Sequence, residues 1–236
     1  MGPSRGLRPT GPQSTRSAMA SGSTTLLLVR HGHTAGNGTG PDVPMSGWFD
    51  VPLSAKGMQE AQAVSGWLAR GGRIAAIYTS PLQRARRTAV AIGAACGLPV
   101  RPVPALREIH CGEADGLPLA EVQRKYRGAW ARNSEQTDPD FCWPGGETYR
   151  AFRTRVLGSV HELGTAHADE RIVLVTHAGA INQLLGSIAG VSPARWEPFR
   201  QRNGSVTEVV YQEGVLRLIS FDARPSLEVP AELRLP

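Results

Sequence analysis

Lysine is nearly missing from this 236-residue chain: Lys56 and Lys125 are the only two, so the net charge of +6 rests almost wholly on arginine. Acid is missing where the arginines gather. No Asp or Glu stands between Glu60 and Glu108, a stretch that holds Arg70, Arg73, Arg84, Arg86, Arg87, Arg101 and Arg107. Most of these suit solvated helix faces, but together they set up a field that draws anions, either nucleic acid or small phosphates. Aromatic residues do not interleave with the basic ones as they do in single-strand binders, which makes nucleic acid the weaker expectation. No apolar run approaches membrane-spanning length, so no membrane span is expected. Cysteine is scarce and odd in number: Cys96, Cys111 and Cys142. Their spacing suits no metal site, and the odd count argues against a disulfide framework and for a reducing, cytoplasmic setting.

The composition is that of an ordinary globular chain, with apolar residues enough for a sizeable core. Residues 1–24 carry Arg5, Arg8 and Arg16, no acid, and much Gly, Ser, Pro and Thr. They read as a disordered leader rather than a signal, although an organelle transit peptide has a similar composition. The folded body is expected over 25–224, and 225–236 as a loose tail.

Within the body, Thr25 to Val29 is a short, β-rich apolar run, read as a buried strand. A loop rich in Gly, Asn and Pro follows over 32–53. Ser54 is placed to cap a helix with Met58, Ala61, Val64 and Leu68 inward, ended by Gly71-Gly72. Ile74 to Thr79 reads as a second strand. Ser80-Pro81 then reads as an N-cap with proline in the first turn of an Ala-rich helix that Gly97 closes. Val100 to Val103 reads as a short strand, and 104–146 as irregular apart from a helix over Leu119 to Tyr126. From Glu147 a helix places Tyr149, Phe152, Val156, Val160 and Leu163 on one face. Ile172 to Thr176 is a strand, and His177-Ala178-Gly179 turns into a helix ending near Gly190. Val206 to Tyr211 and Val215 to Phe221 are strands split by a turn at Gly214. This alternation predicts an α/β fold: a three-layer sandwich, its central sheet mainly parallel, with helices on both faces.

In such sheets ligands sit outside the carboxyl ends of the strands. Three strands end there in reactive sequence: Arg30-His31-Gly32-His33-Thr34 with Asn37, then Ser80 leading to Arg84 and Thr88, and His177-Ala178-Gly179. An imidazole beside a guanidinium makes a poor cation site and a good anion site. The planar fork of arginine fits phosphate oxygens, and a neutral imidazole nitrogen is a nucleophile. Free N–H groups at the start of the helix after His177 also favour an anion.

These segments resemble the histidine phosphatase, or phosphoglycerate mutase-like, superfamily. The matching pieces are Leu28 to Thr34 with Asn37, Gly47 to Ser54 with Gly57, Ser80 to Ala85 with Thr88-Ala89, Leu106-Arg107-Glu108, Pro144 to Glu147, and Val175 to Gly179. They follow the family's order across about 25–221. The resemblance implies that His31 is the nucleophile and becomes phosphorylated. It implies that Arg30, Arg84 and His177 hold phosphoryl oxygens, that Glu108 is the proton donor, and that Asn37, Ser46, Gly47 and Ala178 contact substrate. It implies a small phosphorylated substrate and neither metal nor cofactor. Oligomeric state is not readable from sequence.

His31-x-His33 with His177 suggests zinc, but the flanking arginines repel a cation and no carboxylate or cysteine partner stands out. A mutase of the same superfamily is expected to carry a longer insert between Glu108 and His177. A non-catalytic binding member is expected to lack the nucleophile or the acid, and here both are present. Glu or Gln is usual in the superfamily where His33 stands, so His33 reads as loop structure or as a group that supports the site residues without touching substrate; His110, His161 and His167 read as surface or loop residues. Trp130, Phe141 and Trp143 read as packing, with a role in a substrate wall also open. Residues 38–45 form a longer loop than usual, Ser46 stands for a common Gln, and Ala114-Asp115 for a common Trp-Glu. These departures fall on the stretches expected to wall the pocket, so substrate cannot be transferred by analogy. Sugar phosphates, phosphoglycerate derivatives and α-ribazole phosphate all stay open.

Overall fold

The computed structural model describes residues 22–196 and 198–224. Most of the expected leader and all of the expected tail lie outside them. In chain order the elements are β1 (Thr24–Arg30), α1 (Ala55–Arg70), β2 (Ala76–Thr79), α2 (Gln83–Cys96), β3 (Val100–Pro102), α3 (Leu119–Lys125), α4 (Arg127–Glu135), α5 (Tyr149–Ala166), β4 (Arg171–Thr176), α6 (Ala178–Ile188), β5 (Val206–Gln212) and β6 (Val215–Ala223).

The six strands form one sheet in the order β3-β2-β4-β1-β5-β6. The β3–β2, β2–β4 and β4–β1 ladders are parallel; β5 runs antiparallel to both β1 and β6. Only β5 opposes the rest, so the mainly parallel α/β sandwich stands. Strands covered on both faces become continuous apolar runs, and β1 shows why. Leu26 and Leu28 join one core with Leu174, Ile181, Leu184 and Val160. Leu27 and Val29 join the other, with Val64, Leu68, Ile77 and Ile92. Helices α5 and α6 supply the first face, α1 and α2 the second. Among the described residues no helix is long and apolar enough to cross a membrane.

Several sequence expectations change in detail. The chain is already strand at Thr24, whose buried Oγ1 donates to the Gly164 and His167 carbonyls. Met58 is exposed rather than inward, because the buried stripe of α1 runs through Gly57, Ala61, Val64 and Leu68. Ser54 caps α1 as expected, accepting from Gly57 N. Helix α2 begins at Gln83, later than Ser80-Pro81 suggests. Gln83 N is taken by Asp50 Oδ1 at 2.7 Å, so a distant loop caps the helix. The stretch 104–146 holds an unforeseen helix, α4, which buries no residue fully and so leaves little apolar periodicity to read. A third apolar cluster, of Cys111, Val122, Phe141, Trp143 and Tyr149, gathers this stretch into a cap on the body.

Candidate active site

The carboxyl ends of β1, β2 and β4 meet, as parallel packing requires. His31, Arg84 and His177 form a buried cluster there. His31 and His177 face each other with ring centroids 5.1 Å apart. His31 Nδ1 lies 2.7 Å from the Gly32 carbonyl. A carbonyl can only accept, so this contact puts the proton on Nδ1 and leaves a lone pair on Nε2. The bend at Gly32 depends on its missing side chain: a Cβ there would come within 2.3 Å of the Gly57 carbonyl oxygen. Gly32 N donates to Thr88 Oγ1, and Thr88 Oγ1 donates to the Arg84 carbonyl, so the first strand end is tied to α2.

Arg84 is 1% exposed. Its Nε donates to His177 Nδ1 at 3.2 Å, Nη1 donates to the Phe49 carbonyl, and Nη2 to the Ser46 and Gly47 carbonyls. His177 Nδ1 is thus an acceptor, and its Nε2 proton points to Ser80 Oγ at 2.8 Å. The turn of 46–50 therefore reaches the site through its backbone. Asp115 fixes that turn by accepting from Gly47 N, Trp48 N and Cys111 N.

Glu108 accepts from Ile109 N through Oε1 and from Gly179 N through Oε2. The anion at the start of α6 is thus a protein carboxylate. Burial pushes the Glu108 carboxyl above its usual range, against the pull of those two N–H groups and of Arg84 and Arg155. Arg155 braces the same loop, donating to the Glu108, Arg107 and Ala105 carbonyls and to Glu147. A Cβ on Gly179 would lie 2.1 Å from Glu108 Oε1. Gly179→Ala is expected to displace this carboxyl and lower kcat/KM about 100-fold, with a modest drop in thermal midpoint as its two N–H contacts are disturbed. Unaltered kinetics would contradict this placement.

A cavity of about 630 Å³ adjoins the cluster, lined by Arg30, Asn37, Ser46, Gly47, Glu108 and Ala178 together with aromatic side chains. Six of the nine residues expected at the site thus line one space, while His31, Arg84 and His177 form the buried wall next to it. Arg30 Nη1 donates to the Gln201 carbonyl, whereas its buried Nε has no hydrogen-bond partner. Asn37 accepts through Oδ1 from Thr34 N and Asn203 Nδ2. His33 turns its ring to Ser54 Oγ and donates its backbone N–H to the buried Glu60. Among the described residues no three His, Cys, Asp or Glu gather as a metal-ligand set.

Sequence reasoning missed Asn203, which donates to the His31 carbonyl, and Gln201 and Arg155; it put Asp115 on a stretch expected to wall the pocket, but not as the residue that fixes the 46–50 turn. It gave Ser80 a local capping role. That role is partly present, since Ser80 Oγ accepts from Leu82 N, but its larger contact is with His177.

Burial and the two guanidinium groups hold the His31 imidazole well below its ordinary 6.5, and burial with Arg84 does the same to His177. Both rings are neutral in the folded state near neutral pH. Below pH 6.5 the unfolded chain binds these two protons and the folded chain does not, so stability falls as pH falls. Glu108 acts in the opposite sense, since its proton is held more tightly in the folded state. The net expectation is a loss of about 1.4–2.7 kcal/mol per pH unit below the imidazole range. Urea unfolding between about pH 6.5 and pH 5.5 checks this, and a flat stability profile would contradict it.

The profile of the histidine phosphatase superfamily, branch 1, matches residues 26–223. The chain belongs to this superfamily. Phosphoglycerate mutase-like protein 4 of Arabidopsis thaliana is 37% identical over 161 residues, covering 67% of this chain and 68% of its own. The metal-independent phosphoserine phosphatase of the same plant is 33% identical over 173 residues, covering 72% and 71%. Among solved structures, a mycobacterial glucosyl-3-phosphoglycerate phosphatase superposes with a TM-score of 0.71 at 29% identity, covering 85% of this chain and 99% of that one. Relatives of this chain are thus named both as phosphatases and as mutase-like proteins.

Proposed function

We propose that this chain hydrolyses phosphate monoesters of small metabolites through a phosphohistidine on His31, without a metal ion. The observation that carries the reading is the pairing of a neutral imidazole, its Nδ1 proton committed to the Gly32 carbonyl, with Arg30, whose buried Nε has no partner. Arg30 takes phosphoryl oxygens with its spare donors, and Asn37 stands at the same cavity wall. Arg84 has five N–H donors; four go to His177 and the 46–49 turn, which leaves one on Nη1 for phosphate. Ser46 and Gly47 hold that guanidinium from behind, and Ala178 closes the wall beside His177.

His31 Nε2 attacks phosphorus as the ester oxygen leaves with a proton from Glu108. The dianion raises the Glu108 carboxyl further by like-charge repulsion, so the proton is held until it is needed. Water then attacks the phosphohistidine, Glu108 accepts its proton, and inorganic phosphate departs with the imidazole neutral again. Fixed guanidinium groups supply the charge stabilisation that phosphoryl transfer requires.

Incubation with a simple phosphate monoester and excess chelator tests this. Release of inorganic phosphate at an undiminished rate is expected. Loss of turnover with chelator contradicts metal independence, and phosphoryl migration without release makes the chain a mutase.

A further inference from the structure

Resting on the hydrolase reading, we propose that the cavity next to Arg30 is a leaving-group subsite for an aromatic ring. The preferred substrates are then phosphate monoesters of uncharged aryl alcohols, rather than of polyols or of alcohols that carry a carboxylate.

Size is the first argument. About 630 Å³ is the volume of a site for a drug-sized ligand, and a phosphoryl group occupies a small part of it. The walls are the second. Met45, Trp143, Tyr149, Phe152, Trp196 and Phe199 line the space. Trp143, Tyr149 and Phe152 are buried and set in the core: Phe141 meets Trp143 edge-on at 5.3 Å, and Tyr149 Oη donates to Asn133 Oδ1. Trp196 and Phe199 are half-buried and offer ring surface to an incoming group. Phe199 is held in place, its N–H donating to Asn182 Oδ1. Aromatic rings pair well with such walls, offset or edge-on.

The polar inventory is the third argument. Among the described residues, the charged ones lining the cavity are Arg30, Glu108 and Arg200. Arg30 serves the phosphoryl group, and Arg200 is exposed. Neither of the two lysines lines it. With Arg30 engaged by the phosphoryl group, a substrate carboxylate buried along the aromatic wall would be desolvated with no second buried cation among the described lining residues, which is costly. A polyol fares little better. Asn182 Oδ1 already accepts from Phe199 N, one of its N–H groups goes to the Ala178 carbonyl, and Asn133 Oδ1 accepts from Tyr149 Oη. Gln201 Oε1 is the one buried side-chain acceptor on this lining without a partner, enough for a single hydroxyl.

The test compares kcat/KM for 1-naphthyl phosphate, glycerol 3-phosphate and phosphoserine in the intact chain, Trp196→Ala and Trp196→Phe. The naphthyl ester is expected to lead by about tenfold or more. Trp196→Ala is expected to cut that lead about tenfold, through KM, and Trp196→Phe to keep most of it. Phe199→Leu provides a second wall variant with the same expected direction, should Trp196→Ala fold poorly. Glycerol 3-phosphate or phosphoserine serving as well as the naphthyl ester overturns the subsite while leaving the hydrolase reading intact. So does a lead that none of the wall variants changes. If no ester of any kind is hydrolysed, the hydrolase reading falls and the subsite falls with it.

Discussion

Replacing His31 by alanine is expected to lower ester hydrolysis about a thousandfold or more, because the step that breaks the ester bond loses its nucleophile. What remains is a cavity with Arg30 and a buried acid, able to bind phosphate but without a group to attack it. Binding and chemistry therefore separate in this variant: inorganic phosphate or vanadate still associates, while turnover disappears. The buried position adds a control. His31 is 4% exposed, and its loss leaves a small gap beside His177 rather than an unpaired charge. The fold is expected to survive with a modest drop in thermal midpoint. Near-normal hydrolysis by His31→Ala, measured as phosphate release, would place the nucleophile elsewhere.

Arg84→Leu is expected to act on rate and on stability together. The side chain is 1% exposed and bonds to three backbone carbonyls and to His177. Removing it strands the Ser46, Gly47 and Phe49 carbonyls and frees the His177 ring to turn. Each charge-assisted contact contributes about 1.5–3 kcal/mol, and breaking such a buried network costs roughly 3 kcal/mol of folding stability. The rate falls about 100-fold or more, since one phosphate contact and the placement of the 46–49 turn disappear together. Arg84→Lys does not restore it, because a single ammonium cannot span carbonyls and imidazole at once. Urea unfolding and kcat/KM measured on the same preparations check both halves. A stability loss with normal kinetics would make Arg84 a purely structural residue.

The strands that position the site were legible because their signals are local. The run from Thr25 to Val29 is apolar on both faces since α1 and α2 cover one side and α5 and α6 the other. Arg30-His31 and His177 follow such runs directly, so their place at strand ends could be read from the residues alone. Arg84 was legible through its distance from the Ser80-Pro81 turn. The hidden groups come from far along the chain and lie in loops. Asn203 precedes β5 in a short turn, yet reaches the His31 carbonyl. Asp115 directly follows a one-turn segment, and nothing in its neighbours announces that it gathers three N–H groups from two loops. Helix α4 was invisible for a related reason: it buries no residue fully, so no apolar stripe marks it. Met58 misled by the opposite route, an apolar residue one place off the buried stripe of α1.

The central claim is that phosphorus passes through an imidazole nitrogen of His31. The most direct measurement is a quench of the working protein with a radiolabelled phosphate monoester, followed by digestion and location of the labelled peptide. Label is expected on the peptide containing His31, stable to alkali, lost in acid, and absent from His31→Ala. Hydrolysis that proceeds with no protein-bound label under either quench, or label on another peptide, would contradict it.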